Sequence, residues 1–260
     1  MNAKPSKQQI DAFSRRNLSR PIALFVQFSG KADLSRERLV WSARSEQVFC
    51  GPVIKFDELR LYQFGSGDEA LAFVESLGKQ PFTALEVIAL SAQPRAIRIT
   101  SAVLARVLPH WPFDNSEDDT EEPGVGTSSV MPTRAAIEEL RTHADQTSPV
   151  TMLNWLKFKP QSGRAAYYRY GKVALLATHS LGAKLLYAAR YLQILIGNSG
   201  NPAIGAWDEF ALMQYPGRAT FGRMARLKRY RAALHHREEG LAENGQGLVV
   251  TKPAPEFTWR

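Results

Sequence analysis

The segment "DEFALMQY", residues 208–215, has a near copy in "DELRLYQF", residues 57–64. Asp, Glu, Leu and Gln occupy the same positions in both segments, and each segment ends in an aromatic residue. Both are short, largely apolar stretches followed by turn residues, a pattern typical of β-strands. The occurrence of nearly the same strand sequence twice predicts a duplicated domain. Each segment is expected to form the third strand of one copy of that domain.

The residues around the first copy predict the order strand, helix, strand, strand, helix, strand. The predicted strands are 22–28, 53–56, 58–64 and 86–92, and the predicted helices are 32–49, opened by Asp33, and 67–78, capped by Asp68 and closed by Gly78. This is the order of the ferredoxin-like split βαβ unit.

The second half predicts the same order. Its strands are expected at 150–158, 183–197, 206–215 and 247–251, and its helices at 164–182 and 218–239. A sheet of this kind has helices on one face only, so its bare face must be buried against another sheet. The sequence therefore predicts an α+β fold with tandem ferredoxin-like (βαββαβ) domains, whose antiparallel sheets pack face to face.

The expected boundaries are residues 1–95 for the first domain, 96–148 for a connector and 149–260 for the second domain. Within the connector, residues 96–111 and the stretch after Thr133 predict helices, whereas 114–129 is acidic and then rich in Gly and Ser. Its composition favours a solvated linker over a functional lid.

Composition limits the classes of function. The 260 residues carry a net charge of +8, but no recognised nucleic-acid motif accompanies that charge, so nucleic acid is not the expected partner. Cys50 is the single cysteine, which excludes an intrachain disulfide and zinc-finger spacing. No signal peptide or apolar run of about 18 residues occurs, which predicts a cytoplasmic protein that does not span a membrane.

Several spaced motifs of the second half resemble the dimeric α/β-barrel superfamily, and within it a branch of unknown function. They are "MLNWLKF" (152–158), "AYYRYG" (166–171), Trp207-Asp208, Tyr215-Pro216, Phe221, Met224, Tyr230 and His236-Arg237. The first half is a more diverged copy. The resemblance implies a dimeric-α/β-barrel-like unit with its site in the second half, and a helix break before Tyr230. Relatives include cofactor-independent monooxygenases, isomerases, haem-binding proteins and plain binding modules.

Three residues near the start of the second half are candidates for contact with a substrate. Helical periodicity places Tyr167 and Tyr170 on the face of helix 164–182 that meets the sheet. They are either core tyrosines whose hydroxyls bind the backbone, or tyrosines whose hydroxyls point into a cavity. Asn154 lies among apolar residues of its strand, and its amide either holds a substrate carbonyl or pins a neighbouring strand.

The end of the last helix supplies the candidate acid–base groups. His236 exchanges protons near neutral pH and Arg237 grips a carboxylate or enolate, although basic residues are also common where they meet the exposed carbonyls of a helix end. His235 and Trp207 are added as substrate-binding candidates, with Trp207 also interpretable as part of a packed strand edge.

We therefore expect a small-molecule enzyme without cofactor or metal, acting by proton transfer or oxygenation on a hydrophobic or aromatic substrate in the C-terminal barrel cavity. His236, Arg237 and Tyr170 are the catalytic candidates. A non-catalytic ligand-binding or assembly module is the alternative, and haem is a third option that a Soret band would reveal. Pairing of the two halves within one chain or between the chains of a homo-oligomer stays open.

Overall fold

A computed structural model describes residues 5, 10–11, 13, 21–51, 53, 55–91, 95–111, 113–117, 129–197 and 207–254. The described strands are β1 Ile22–Ser29, β2 Leu39–Cys50, β3 Glu58–Phe64, β4 Ala84–Ser91, β5 Val150–Phe158, β6 Lys184–Ile196, β7 Glu209–Tyr215 and β8 Leu241–Pro253. The helices are α1 Gly67–Leu77, α2 Arg95–Val107, α3 Arg134–Thr142, α4 Gly163–Ser180, α5 Arg218–Arg226 and α6 Lys228–Gly240, and a 3₁₀ turn, Leu108–His110, follows α2.

The eight strands close into an antiparallel barrel, in the order β1-β3-β2-β8-β5-β7-β6-β4. The first half contributes β4-β1-β3-β2 and the second β8-β5-β7-β6, which is the same ferredoxin-like order in each half. The two sheets join along both edges, β2 with β8 and β4 with β6. The α+β fold is confirmed, and the halves pair within one chain.

The two near-identical segments occupy equivalent places. Strands β3 and β7 are both seven residues long, have the same alternation of buried and half-buried positions, and pair with the first strand of their half. Equivalent placement is what a duplication requires, but descent from one ancestral domain stays a prediction.

The element order predicted for the first half is wrong in one place. Residues 32–49 do not form a helix, because Leu39–Cys50 is strand β2. The predicted strand 53–56 is not a strand at its described positions, and Ile54 lies outside the described residues. Over a short stretch, apolar residues such as Val40, Trp41 and Val48 fit both the helical period of 3.6 and the strand period of 2. Pairing with β3 and β8 provides hydrogen-bond partners for the backbone of this segment as a strand.

Aromatic side chains fill the inside of the barrel. Phe25, Trp155 and Phe210 lie with their ring centroids 4.8 to 5.5 Å apart. Trp41 and Tyr187 belong to the same buried cluster. The cavity expected within the C-terminal half of the barrel is therefore not on this side of the sheet, and it lies instead on the helix-covered outer face.

Helix α4 covers that outer face with the side predicted from its periodicity. Tyr170 and Ala177 are buried against the sheet. Tyr168, predicted to point away, is 45% exposed, but its hydroxyl reaches Glu209 on the outer face of the sheet. His179, also predicted to point away, is nevertheless 2% exposed because α2 covers it. Its Nε2 lies 2.8 Å from the Ser101 hydroxyl and its Nδ1 lies 2.6 Å from the Leu175 carbonyl oxygen.

Of two predicted helix N-caps, one is confirmed and one is wrong. The Thr133 hydroxyl accepts from the Ala136 N–H and caps α3, as predicted. Helix α1 is capped by Ser66 rather than Asp68, because the Ser66 hydroxyl accepts from the Glu69 N–H. No helix in the described ranges is long and apolar enough to cross a membrane.

Candidate functional site

A sharp break between the last two helices decides which side chains reach the sheet. Leu227 adopts an extended conformation (φ −60°, ψ 124°) between α5 and α6. Its side chain is fully buried, and its backbone forms a β-bridge with Glu117 of the connector. The break implied before Tyr230 is thus present at Leu227, and α6 starts with a new rotational phase that turns Arg237 inward.

Arg237 is 3% exposed and contacts neutral groups. Its Nε donates to the Gln246 side-chain oxygen at 2.7 Å, and Nη2 donates to the Val130 carbonyl at 2.6 Å. The guanidinium carbon lies 5.9 Å from the centre of the Tyr170 ring. No carboxylate of the described residues lies within ion-pair distance of Arg237.

Asn154 acts on Arg237 through one intervening amide. Its side-chain oxygen accepts from Gln246 Nε2 at 3.3 Å, and its amide nitrogen donates to the Met152 and Ala211 carbonyls at 3.1 and 3.4 Å. All of these contacts are within the protein. Asn154 therefore pins Gln246 and the strand pair β5–β7, and Gln246 orients the guanidinium.

Tyrosine side chains line the space beside Arg237. The hydroxyl oxygens of Tyr170 and Tyr230 are 2.9 Å apart, and the rings of Tyr167 and Tyr170 are 5.3 Å apart between centroids. Burial raises the pKa of Tyr167 and of Tyr170 well above the ordinary value for a phenol. These two phenols therefore remain neutral hydrogen-bond donors at physiological pH.

The space between the helices and the outer face of the second half-sheet is a cavity of about 770 Å³. Its walls contain many apolar side chains, among them Phe49, Met152, Leu156, Met213, Phe221, Leu234 and Leu248. The polar side chains near its inner end are Asn154, Tyr167, Tyr170, Tyr230, Arg237 and Gln246. A mostly apolar cavity with a few convergent polar groups is typical of a small-molecule site.

Strand register sets the length of the cavity floor. Leu156 pairs with Gln246 of β8 on one side and with Glu209 of β7 on the other. Because neighbouring strands are about 4.8 Å apart, the backbones at Gln246 and Glu209 are separated by about 10 Å. Two contacts hold the Glu209 side chain. The Tyr168 hydroxyl donates to its Oε1 at 2.6 Å, and Arg164 Nε lies 3.3 Å from the same oxygen.

The connector forms part of the cavity wall. Val130 is 3% exposed and supplies the carbonyl that accepts from Arg237, and Met131 and Pro132 follow it in the lining. Glu117, at the other end of the acidic stretch, pairs with Arg223 and Arg226 of α5. The connector is thus packed at both described ends, and residues 118–128 between them lie outside the described residues.

Three of the residues predicted from sequence lie away from the cavity. Trp207 is buried in the barrel interior. His235 is exposed, and the side chain of His236 is 28% exposed with its Nδ1 3.1 Å from Glu239. The ligand atoms of these two histidines and Glu239 lie within 4.8 Å of one another, so they could hold a metal ion on the surface. They do not contact the groups around Arg237.

The described lining offers few of the side chains that hold haem iron. Its iron takes a histidine, a thiolate, a methionine with a histidine, or a tyrosinate as axial ligand. No histidine or cysteine is among the described lining residues. Burial keeps the phenols of Tyr167 and Tyr170 protonated, which disfavours the tyrosinate form. We therefore assign no haem role to this cavity.

Gln246, Tyr230 and Glu209 are site residues that the sequence did not single out for function. Glu209 was visible as a charged residue in the repeated strand, on the same face as Met213. Tyr230 was part of the resemblance pattern. Gln246 precedes the predicted strand 247–251 and gave no signal, because its role depends on the bulged course of β8 from Leu241 onward.

Neither a family model nor a curated protein matches the chain. A solved protein of unknown function from Rhodopseudomonas palustris is similar at 29% identity, over 49% of this chain and 98% of its own, with a TM-score of 0.43. An anthrone oxidase-like protein is 10% identical over 92% and 95% of the two chains, with a TM-score of 0.41. A variant of chlorite dismutase from Candidatus Nitrospira defluvii is 12% identical over 94% and 96%, with a TM-score of 0.41. These similarities assign no activity to this chain.

Proposed function

We propose that the chain is a small-molecule enzyme that acts without a cofactor, by proton transfer or oxygenation, on a hydrophobic or aromatic substrate bound in the cavity. The supporting observation is the placement of a buried guanidinium, Arg237, beside the paired phenols of Tyr170 and Tyr230 in a mostly apolar wall. Few, fixed polar groups in an apolar cavity orient a substrate and exclude water.

Both reaction types pass through an enolate or phenolate of the substrate. A C–H or O–H proton leaves to a base, and in proton transfer it returns at another atom. In oxygenation, carbon of the anion bonds to O₂ as second substrate and the resulting peroxide takes up the proton. Cleavage of its O–O bond with loss of the remaining proton on that carbon then leaves a carbonyl group and releases water. Negative charge develops on an oxygen, where preorganised donors stabilise the transition state most. Arg237 supplies a permanent charge for this purpose, and Tyr170 supplies a neutral hydroxyl.

Glu209 is the group that we propose as proton acceptor, in place of His236. It is the only carboxylate among the described lining residues, and its contacts with Tyr168 and Arg164 hold it at the cavity wall. His236 stays a candidate only for a role at the surface. A carboxylate at one end and a cation at the other would support removal of a proton from one part of a substrate while its oxygen is held at another.

The test is a screen of aromatic ketones and phenols for exchange of substrate protons in D₂O by NMR, and for O₂ consumption, with protein free of added cofactor. We expect Glu209→Gln to reduce turnover by at least about 100-fold, the usual contribution of a general base. His236→Ala is the matched control and should keep full turnover.

Two results would contradict the proposal. Equal turnover of Glu209→Gln and the parent protein would remove Glu209 from the mechanism. Tight binding of screened compounds without any turnover would support the alternative of a ligand-binding module. Circular dichroism of each variant separates loss of activity from loss of fold.

A further inference from the structure

We propose that the natural ligand of this cavity is a monoanionic organic acid, with its acid group paired to Arg237 and an apolar, aromatic-sized body along the sheet. The inference rests on the cavity of the proposed function, but it does not depend on a reaction. It differs from stabilisation of a transient oxyanion, because the negative charge is present in the ligand before any chemistry takes place.

The charge balance of Arg237 is the first observation. An arginine stays protonated in a protein, and burying its charge without a counter-ion costs several kcal/mol. Arg237 is 3% exposed, and its two described hydrogen bonds go to the neutral acceptors Gln246 and Val130. A guanidinium has five N–H donors, so the described partners leave most of them for another acceptor.

The other titratable groups around Arg237 do not neutralise it. Burial raises the pKa of the Tyr167 and Tyr170 phenols and of the Cys50 thiol, so all three are uncharged at neutral pH. The hydroxyl of Tyr230 is engaged with that of Tyr170. None of the described side chains around Arg237 therefore supplies its counter-charge, and we assign that charge to the ligand.

The other arginines of the lining, apart from the solvent-exposed Arg190, make the contrast clear. Each has a described carboxylate partner: Arg141 with Glu138, Arg218 with Glu46, and Arg223 and Arg226 with Glu117. Arg237 lies deeper than Arg141, Arg223 and Arg226, yet has no carboxylate within 4 Å among the described residues. The side chain with the greatest need of a counter-ion lacks one, and it faces the cavity.

Hydrogen-bond donors beside Arg237 match a carboxylate. Tyr170 and Tyr230 share one hydrogen bond between two hydroxyls, so one phenol proton remains to donate elsewhere. Together with the remaining N–H groups of Arg237, it meets the several lone pairs of a carboxylate. A neutral ketone or amide would leave part of this donor set unused.

The rest of the cavity selects the body of the ligand. The walls over Leu156, Met152 and Met213 are apolar, and Glu209 lies about 10 Å from Gln246 across the sheet. This span suits a two-ring body. A second acid group at the far end would lie beside the carboxylate of Glu209, which already takes Arg164 and the Tyr168 hydroxyl as its partners, so a monoacid is preferred to a diacid.

Calorimetric titration of the purified chain at pH 7.5 tests the inference, with naphthalene-2-carboxylate, naphthalene-2-carboxamide and naphthalene-2,6-dicarboxylate as probes. We expect the monocarboxylate to bind about 10-fold or more tightly than the amide, since a hydrogen bond to a charged group contributes about 1.5 to 3 kcal/mol. The dicarboxylate should bind more weakly than the monocarboxylate. In Arg237→Met the acid should lose its advantage over the amide, whereas Arg223→Met, at a paired arginine of the same wall, should keep it.

The outcomes separate this inference from the proposed function. If the amide binds the parent protein as tightly as the acid, the anionic ligand is refuted and the apolar substrate site stands. If neither binds, the anionic ligand is refuted, and the proposed function is decided by its own screen of ketones and phenols. If Arg237→Met does not fold, as judged by circular dichroism, the comparison of acid and amide on the parent protein decides alone.

Discussion

Replacing Glu86 by glutamine is expected to stabilise the protein at alkaline pH and to remove most of the pH dependence of its stability near neutrality. Glu86 lies on β4 with the same parity as Ile88 and Leu90, which belong to the barrel interior. It is 3% exposed, and its side chain accepts a hydrogen bond from Gln27, the residue directly opposite on β1.

The magnitude follows from the pKa of this carboxyl. Burial raises the pKa of Glu86 from 4.5 to about 7, and the hydrogen bond from Gln27 only partly offsets that effect. The folded state then binds a proton between pH 4.5 and 7 that the unfolded state has lost, so stability falls as pH rises through this window. Above pH 7 the ionised carboxylate costs about 3 kcal/mol, of which about 2.5 kcal/mol develops between pH 5 and pH 8.5.

Urea unfolding followed by tryptophan fluorescence at pH 5 and pH 8.5 measures this difference. Glu86→Gln should exceed the parent by about 3 kcal/mol at pH 8.5 and by less than about 1 kcal/mol at pH 5. Glu75→Gln, at an exposed position of α1, is the matched control and should follow the parent. A Glu86→Gln variant with the same free energy of unfolding as the parent at pH 8.5 would refute the reasoning.

Three further substitutions test the packing around the site by the same unfolding measurement. Gly240→Ala places a methyl group 2.6 Å from the Tyr167 backbone nitrogen, where α4 and α6 touch, and should cost about 1 to 3 kcal/mol. A urea midpoint like the parent's would show that the two helices can move apart at no cost. Arg218→Met removes the buried partner of Glu46, whose side chain is 26% exposed, and so breaks an ion pair between the halves. It should cost about 1 to 3 kcal/mol, and an unchanged stability would mean that this pair does not stabilise the fold. Ser101→Ala leaves the buried imidazole of His179 and the backbone N–H of Leu185 without their hydroxyl partner and should cost about 1 to 3 kcal/mol. Ser76→Ala, on an exposed helix face, is the control and should leave the stability unchanged.

Much of the second half could be predicted from local pattern. The periodicity of helix 164–182 identified the buried face that includes Tyr170, and the Thr133 cap identified the start of α3. Such features depend on residues within one or two turns of each other, where periodicity and side-chain caps act directly. Asn154, Tyr167, Tyr170 and Arg237 were found because they stand out chemically in these elements, and all four line the cavity.

The sequence by itself determined the repeated strand, the burial of one helix face and the positions of seven of the eight strands. Only the tertiary structure decided that Leu39–Cys50 is a strand, because the partner that pairs with its outer edge is β8, about 200 residues further along the chain. The closed barrel also decided the side of the sheet on which a cavity remains, since aromatic rings fill the interior. The break at Leu227, held by contacts with the connector, turned Arg237 inward and left His235 and His236 at the surface. Long-range backbone pairing and packing set these features, and no local period of the sequence encodes them.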